Sequence, residues 1–167
     1  LLNWLPSILL TYGLNRGEAG SVLGLATIVG VPVGTLLAPL YRRLKSLSWL
    51  AVGLSLFTLT GYTIVWALPS IATVGAILIG LGQASTFPVS LYLIGTKAQS
   101  QAMTTRLSAL AQGWGYLVAA LATFGVGYLR DVSGSWSLPL AVVLGMTVIQ
   151  IIGGWFVGRP GTIHVAK

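Results

Sequence analysis

Few residues of this chain have side chains that could do chemistry, and they are scattered. Its 167 residues include two acidic side chains, Glu18 and Asp131, a single histidine, His164, and no cysteine. So few groups supply no carboxylate pair, no Ser-His-Asp set and no cluster of metal ligands, and thiol chemistry is excluded. We therefore expect that the chain is not an enzyme, that it uses no metal or other cofactor, and that His164 is a solvated tail residue.

The remaining candidates are neutral polar side chains within apolar segments. One group lies at the centre of a segment just before Pro88 and comprises Gln83, Ser85 and Thr86. A second recurs at every fourth position of the next segment, and therefore on one helical face, and comprises Ser108, Gln112 and Tyr116. Asn3 and Trp4, near the start of the chain, complete the set.

These side chains must face protein or water, because an unpartnered amide in hydrocarbon costs roughly 2 kcal/mol or more. Two interpretations stay open for them. They form hydrogen bonds between helices that hold a bundle together, or they line an aqueous cavity that binds a solute.

The composition indicates a membrane protein. Charged residues make up 7% of the chain, against roughly 25% in a soluble domain, and 55% of the residues are hydrophobic. Nine basic and two acidic residues could not cover the surface of a soluble fold, which excludes a soluble enzyme and a disordered tail. The net charge of +7 does not indicate nucleic-acid binding, because the basic residues cluster between apolar runs, as in membrane loops.

The apolar runs predict an all-α membrane protein, a polytopic helical bundle of five full spans plus the end of a sixth. Because the sequence begins inside an apolar run without a basic n-region, we expect a chain cut within a helix rather than a signal peptide. The expected spans are residues 1–12 (truncated), 19–41, 48–68, 71–95, 107–129 and 138–157.

Local signals place the helix ends. Asn15 followed by Glu18 is a capping-box pattern that predicts a helix start. Ser70 is expected to cap the fourth segment and Pro88 to kink it. Residues 97–106 are predicted as a polar loop and residues 130–135 as a turn, after which Ser135 or Ser137 begins the last helix.

The basic residues predict the topology. Arg16 and Arg130 lie on one side of the membrane, each beside an acid. The other side holds seven, namely Arg42, Arg43, Lys45, Lys97, Arg106, Arg159 and Lys167. By the positive-inside rule this second side, with the tight loop of Arg42, Arg43 and Lys45 and the C-terminus, is cytoplasmic.

Small and aromatic residues predict contacts within and around the bundle. Three small-xxx-small pairs are candidate helix contacts: Gly20/Gly24, Gly30/Gly34 and Gly154/Gly158. Four tryptophans near span ends are expected to anchor the chain at the membrane surface: Trp49, Trp66, Trp136 and Trp155.

Short phrases along nearly the whole chain resemble one transporter group in the same order. They include Asn3-Trp4-Leu5-Pro6, Glu18-Ala19-Gly20-Ser21, Gly80-Leu81-Gly82-Gln83, Ala111-Gln112-Gly113, Arg130-Asp131 and Gly158-Arg159-Pro160. With the six-segment plan, they resemble the C-terminal six-helix half of a major facilitator superfamily transporter, of the cyanate/nitroimidazole branch (CynX/NimT). The basic loop departs from the superfamily pattern, because the acidic residue of its motif is missing before Arg42.

The resemblance implies secondary transport of a small solute across the bacterial inner membrane by alternating access. The solute would be a small anion such as cyanate or a compact heterocycle, and the partners would be the lipid bilayer and the missing N-terminal half of the chain. Segments one and four would line the cavity, two and five would help to close it, and three and six would face lipid. The alternative, a non-transporting membrane scaffold or assembly subunit, stays open.

Overall fold

The structure is a computed structural model that describes residues 2–44 and 46–161, apart from the side chains at positions 34, 35, 38 and 42. Every regular element in these ranges is helical, which confirms the all-α prediction. The α-helices are α1 (Leu5–Thr11), α2 (Arg16–Arg43), α3 (Ser48–Ala67), α4 (Ala72–Lys97), α5 (Gln101–Ser133) and α6 (Ser137–Val157). Short 3₁₀ turns, Leu2–Trp4 and Pro69–Ile71, precede α1 and α4. The predictions for Lys45, His164 and Lys167, for a helix contact at Gly34 and for the side chain of Arg42 lie outside what the structure describes.

Four segments of the described chain are long and apolar enough to cross a membrane: Ser48–Ala67, Pro69–Lys97, Gln101–Ser133 and Ser137–Val157. A shorter apolar helix, Leu2–Thr11, precedes them. Helix α2 is not among the four, but its 28 residues rise about 42 Å and carry no charge between Glu18 and Arg42. The crossing of α2, and with it the count of five full spans, stays a prediction.

The capping box at the start of α2 is confirmed. The Asn15 side chain accepts a hydrogen bond from the Glu18 amide at 2.9 Å, and the Glu18 carboxylate accepts one from the Asn15 amide at 2.8 Å. The cap expected at Ser70 is wrong, because this residue lies within the 3₁₀ turn and Ile71 precedes α4 without a side-chain hydrogen bond. Pro69 therefore separates α3 from α4 without a serine cap.

The polar loop predicted at 97–106 is also wrong. Only residues 98–100 separate α4 from α5, and the Ser100 hydroxyl accepts a hydrogen bond from the Met103 amide at 3.2 Å. The polar residues that follow form the first turns of α5, because hydropathy marks where a helix leaves the lipid and not where it ends.

The turn predicted at 130–135 begins too early. Helix α5 includes Arg130 and Asp131 and ends at Ser133, where Gly134 adopts a left-handed conformation with φ of 65°. Glycine reaches this conformation at little steric cost, so Gly134 terminates the helix. Helix α6 begins at Ser137 without a side-chain cap.

Close glycine contacts hold the helices together, with α4 packed against α2 and α3. A Cβ added at Gly80 of α4 would lie 2.0 Å from the Ala26 carbonyl oxygen of α2. A Cβ at Gly61 of α3 would lie 2.6 Å from the Gly75 carbonyl oxygen of α4. Side chains at these positions would therefore force the helices apart.

The glycine pairs expected from the sequence behave differently from one another. Gly158, directly after α6, packs on the Ser48 backbone, and Gly154 of α6 packs on Ala51, so this pair is confirmed as a contact with α3. Gly30 packs on Ala84 of α4. Gly20 and Gly24 form no such contact within the described chain, since a Cβ at either position would meet none of its heavy atoms within 4 Å.

Two apolar clusters fill the bundle. The larger joins α1 to its neighbours through Leu5, Ile8, Leu9, Tyr62, Val65, Ile79 and Leu140. The smaller lies near the end where α2, α4 and α6 finish and comprises Tyr41, Leu47, Leu54, Val89 and Leu93. This end, which also holds Arg43, Lys97, Arg106 and Arg159, is called the basic end below. Helix α5 contributes only Val126 to the buried residues.

Candidate functional site

Gln83 lies at the contact between α3 and α4, where its side-chain amide donates a hydrogen bond to the Tyr62 hydroxyl. Tyr62 is 2% exposed, so the bond lies in the core of the bundle. Tyr62 was not among the residues predicted from the sequence, although the pairing of α3 with α4 as an antiparallel hairpin would have placed it beside Gln83. Residues 62 and 83 lie equally far from the basic ends of their antiparallel helices, at Ser48 and Lys97. This geometry agrees with the interhelical hydrogen-bond interpretation for Gln83.

Ser85 and Thr86 bond to their own helix. Their hydroxyls donate to the carbonyls of Leu81 at 2.7 Å and Gly82 at 2.9 Å. Ser85 is fully buried, whereas Thr86 reaches a cavity between α3, α4 and α6. The two neighbouring side chains therefore have different surroundings, one within the protein core and one at a cavity.

This cavity, called the α3–α4–α6 crevice, has a volume of about 220 Å³ and mostly apolar walls. Its polar lining comprises Ser55, Thr86, Ser90 and Gln150. The Gln150 amide donates to the Ser55 hydroxyl at 3.0 Å and links α6 to α3. Neither Ser55 nor Gln150 was among the residues predicted from the sequence, although a glutamine inside the most apolar segment is the same signal that identified Gln83.

Trp4 joins the 3₁₀ turn Leu2–Trp4 to α5 by a hydrogen bond and by ring packing. Its indole nitrogen donates to the Thr123 carbonyl at 3.1 Å, and its ring lies where a side chain at Gly127 would stand. The ring centroids of Trp4 and Trp136 are 5.9 Å apart. Trp4 therefore packs against α5 and Trp136, while its neighbour Asn3 is exposed.

The second polar group lies on an open face of α5. Ser108 and Gln112 are half-buried, and Tyr116 is 65% exposed. Only 6% of the most apolar stretch of α5 is buried, whereas 33% of the most apolar stretch within Pro69–Lys97 is buried. The exposed part of the Tyr116 side chain is free of the other described residues, so this face is available to lipid, water, a solute or another part of the protein.

The charges lie outside the apolar stretches. The acids, Glu18 and Asp131, lie far from the basic end, where Arg43 is exposed at the close of α2. No acidic or basic side chain lies between residues 46 and 96 or between 107 and 129. An anion within these helices would therefore meet only hydroxyls, amides and backbone dipoles of this chain.

Curated proteins similar to this chain are transporters. It is 31% identical over 164 residues to the 2-nitroimidazole transporter of Escherichia coli (strain K12), which covers 98% of this chain and 42% of that protein. It is 31% identical over 158 residues to the cyanate transport protein CynX of the same organism, covering 90% of this chain and 40% of that protein. The chain is homologous to these transporters.

An uncharacterized transporter, YycB of Bacillus subtilis (strain 168), is 30% identical over 166 residues, or 98% of this chain and 41% of that protein. The homology confirms the resemblance to the cyanate/nitroimidazole branch of the major facilitator superfamily and the prediction that the chain is not an enzyme. The homology and the four candidate spans together show that the chain is a multi-pass membrane protein.

The chain spans about two fifths of the length of the relatives it matches. No family model matches it. No solved structure matches it either.

Proposed function

We propose that this chain is the C-terminal half of a secondary transporter that moves a small solute across the bacterial inner membrane by alternating access. The homologous transporters of cyanate and 2-nitroimidazole support a small anion or a compact heterocycle as the solute. In transporters of this kind, two halves rock about a central binding site. The missing N-terminal half would complete the site, and the C-terminus would lie in the cytoplasm.

The polar face of α5 carries the proposal. Gln112 lies six positions beyond Arg106, and Tyr116 lies ten positions beyond it. At the helical rise these residues are about 9 Å and 15 Å from Arg106, the charged residue at the basic end of α5. In a hydrocarbon core about 30 Å thick, Tyr116 would then lie near the midplane. Polar groups at this depth need protein or water beside them, and a solute cavity supplies both.

The exposed apolar side chains of α2 and α5 support a second half that packs against this one. Large side chains are more than two-thirds exposed on both helices, and include Ile28, Val31, Leu36, Phe124 and Val132. Lipid could cover such side chains but could not satisfy Gln112. We therefore assign the apolar positions to lipid or the other half, and Ser108, Gln112 and Tyr116 to the cavity.

Gln83 is given a supporting role at the cavity wall. Its bond to Tyr62 holds the amide at mid-depth on α4, the second helix expected to line the site. Replacing Gln83 would disturb both folding and transport. Gln112 and Tyr116 are better tests, since the exposed part of the Tyr116 side chain is free of the other described residues.

The test is uptake of labelled cyanate and of labelled 2-nitroimidazole by proteoliposomes that contain the full-length gene product. Tyr116→Phe and Gln112→Leu should each lower uptake about tenfold, as expected for the loss of one hydrogen bond to a solute at a desolvated site. Tyr128→Phe is the matched control, because Tyr128 is also on α5 and is 60% exposed.

Equal uptake by the three variants and the wild type would contradict the assignment of the α5 face. A wild-type protein that moves neither probe nor any competing small anion or heterocycle would favour the membrane scaffold or assembly subunit instead.

A further inference from the structure

A pocket of about 360 Å³ with both polar and apolar walls opens at the basic end, between the ends of α4 and α6 and the start of α3. Lys97 and Arg159 supply its charges. The Lys97 ammonium donates to the carbonyls of Arg159 at 2.5 Å and Gly161 at 3.4 Å, which holds this half-buried group at the pocket wall. An ammonium has three N–H donors, so this arrangement positions the charge without using all of them.

The Arg159 guanidinium is positioned by aromatic rings. It lies 4.9 Å from the centre of the Phe156 ring and 5.8 Å from that of Trp155. Trp155 in turn packs edge-on against Trp49, with ring centres 4.8 Å apart. Tryptophans concentrate at the boundary between hydrocarbon and headgroups, so these contacts place the pocket at headgroup depth.

The positive charge of the pocket is not neutralised by an acid. The two acidic residues of the chain, Glu18 and Asp131, belong to the opposite end of the bundle. The hydroxyls beside the cations are used within the protein, since Tyr92 donates to the Tyr41 carbonyl and Thr96 to the Tyr92 carbonyl. The pocket therefore complements an anion.

Apolar cavities continue from this pocket into the bundle. Leu93 lines both the basic pocket and the α3–α4–α6 crevice. A third cavity of about 260 Å³ between α4, α5 and α6 shares Leu93 and Lys97 with the pocket and Val157 with the crevice. The three cavities share lining residues, and together they outline a route from two cations to apolar walls within the bundle.

We propose that this route binds an anionic phospholipid. The phosphate would lie between Lys97 and Arg159, and an acyl chain would follow Leu93 and Val157 into the crevice. A free phosphate would use the cations alone and leave the apolar route empty. The site is separate from the α5 face assigned to the solute, so the lipid proposal does not depend on the identity of the solute.

The test is a native mass spectrometry titration of the full-length gene product with dioleoylphosphatidylglycerol and dioleoylphosphatidylcholine. The two lipids have the same acyl chains and differ in headgroup charge. We expect tighter binding of phosphatidylglycerol, and about a fivefold loss for each of Lys97→Gln and Arg159→Gln. Arg106→Gln is the matched control, because it removes the same charge at the same end but outside the pocket.

Equal losses in all three variants would overturn the proposal and indicate a diffuse attraction between charges. Equal binding of the two lipids by the wild type would overturn it as well. Because Lys97 also bonds to backbone carbonyls, Arg159→Gln provides the result if Lys97→Gln fails to fold.

Two further measurements test the acyl route. Gly153 lines the crevice and is exposed, and in the described part of the chain no heavy atom lies within 4 Å of an added Cβ. Gly153→Leu should therefore fill the crevice and weaken phosphatidylglycerol binding severalfold. Gly145→Leu, at an equally open position of α6 outside the crevice, should leave binding unchanged. Unchanged binding in Gly153→Leu, or displacement of the lipid by millimolar glycerol 3-phosphate, would show that only the phosphate is recognised and would refute a lipid site.

Discussion

Replacing Gly80 by alanine should separate α2 from α4. The new Cβ would lie 2.0 Å from the Ala26 carbonyl oxygen, and both groups are held by helical backbone. Ordinary contact begins at 3.4 Å, so the two helices must move apart by about 1.4 Å along this line. A gap of roughly 0.5–1 Å already removes a quarter to a half of each dispersion contact.

The expected net cost is about 2 kcal/mol of unfolding free energy. Overpacking of this kind costs roughly 1–3 kcal/mol, and we take the upper value because the opposing atoms are backbone. Alanine returns up to about 1 kcal/mol through its higher helix propensity. The assay is reversible unfolding in detergent micelles by titration with sodium dodecyl sulfate, followed by tryptophan fluorescence.

Gly95→Ala is the control for this experiment. Gly95 is also on α4, but a Cβ there would meet no heavy atom of the described residues within 4 Å. Its replacement should leave stability unchanged or raise it by up to about 1 kcal/mol. If Gly80→Ala proved as stable as Gly95→Ala, the close α2–α4 contact would be refuted, and with it the packing argument.

Three further experiments test individual hydrogen bonds by the same unfolding assay. A double-mutant cycle of Gln83→Leu and Tyr62→Phe should give a coupling of about 0.6–1.7 kcal/mol, and additive effects would contradict their bond. Asn15→Ala removes half of the capping box and should cost about 1 kcal/mol, with no loss if the start of α2 is frayed. Ser48→Ala removes a 2.8 Å bond to the Trp155 carbonyl and should cost about 1 kcal/mol; an unchanged value would show that α3 and α6 do not need it.

The helices themselves were largely predictable, because their causes are local. The apolar runs identified α3 to α6 as helices, and the Asn15–Glu18 pair predicted the start of α2. The wrong predictions concern residues whose local pattern is compatible with two different structures. Ser70 follows a proline and could cap a helix, yet it lies in a 3₁₀ turn, and the polar residues after Ser100 extend α5 rather than forming a loop.

The polar residues of the candidate site could be predicted from the sequence, but the residues to which they bond could not. Polarity inside apolar segments correctly marked Gln83 as a residue that needs a partner, but it could not name Tyr62, which is read as one more apolar aromatic. It also treated Ser85 and Thr86 as a pair, although one is fully buried and the other lines the crevice. Helical periodicity correctly put Ser108, Gln112 and Tyr116 on one face of α5.

Composition and local spacing were enough to predict a helical membrane protein that is not an enzyme, because hydropathy and the inventory of side chains need no knowledge of the tertiary packing. The packing of the helices selects which glycines form contacts, since Gly80 and Gly61 meet backbone whereas Gly20 and Gly24 meet none of the described residues. It also brought Lys97 to the Arg159 carbonyl, 62 positions away. Such contacts depend on the register and rotation of packed helices, which are set by side-chain fit between distant segments and not by any local pattern.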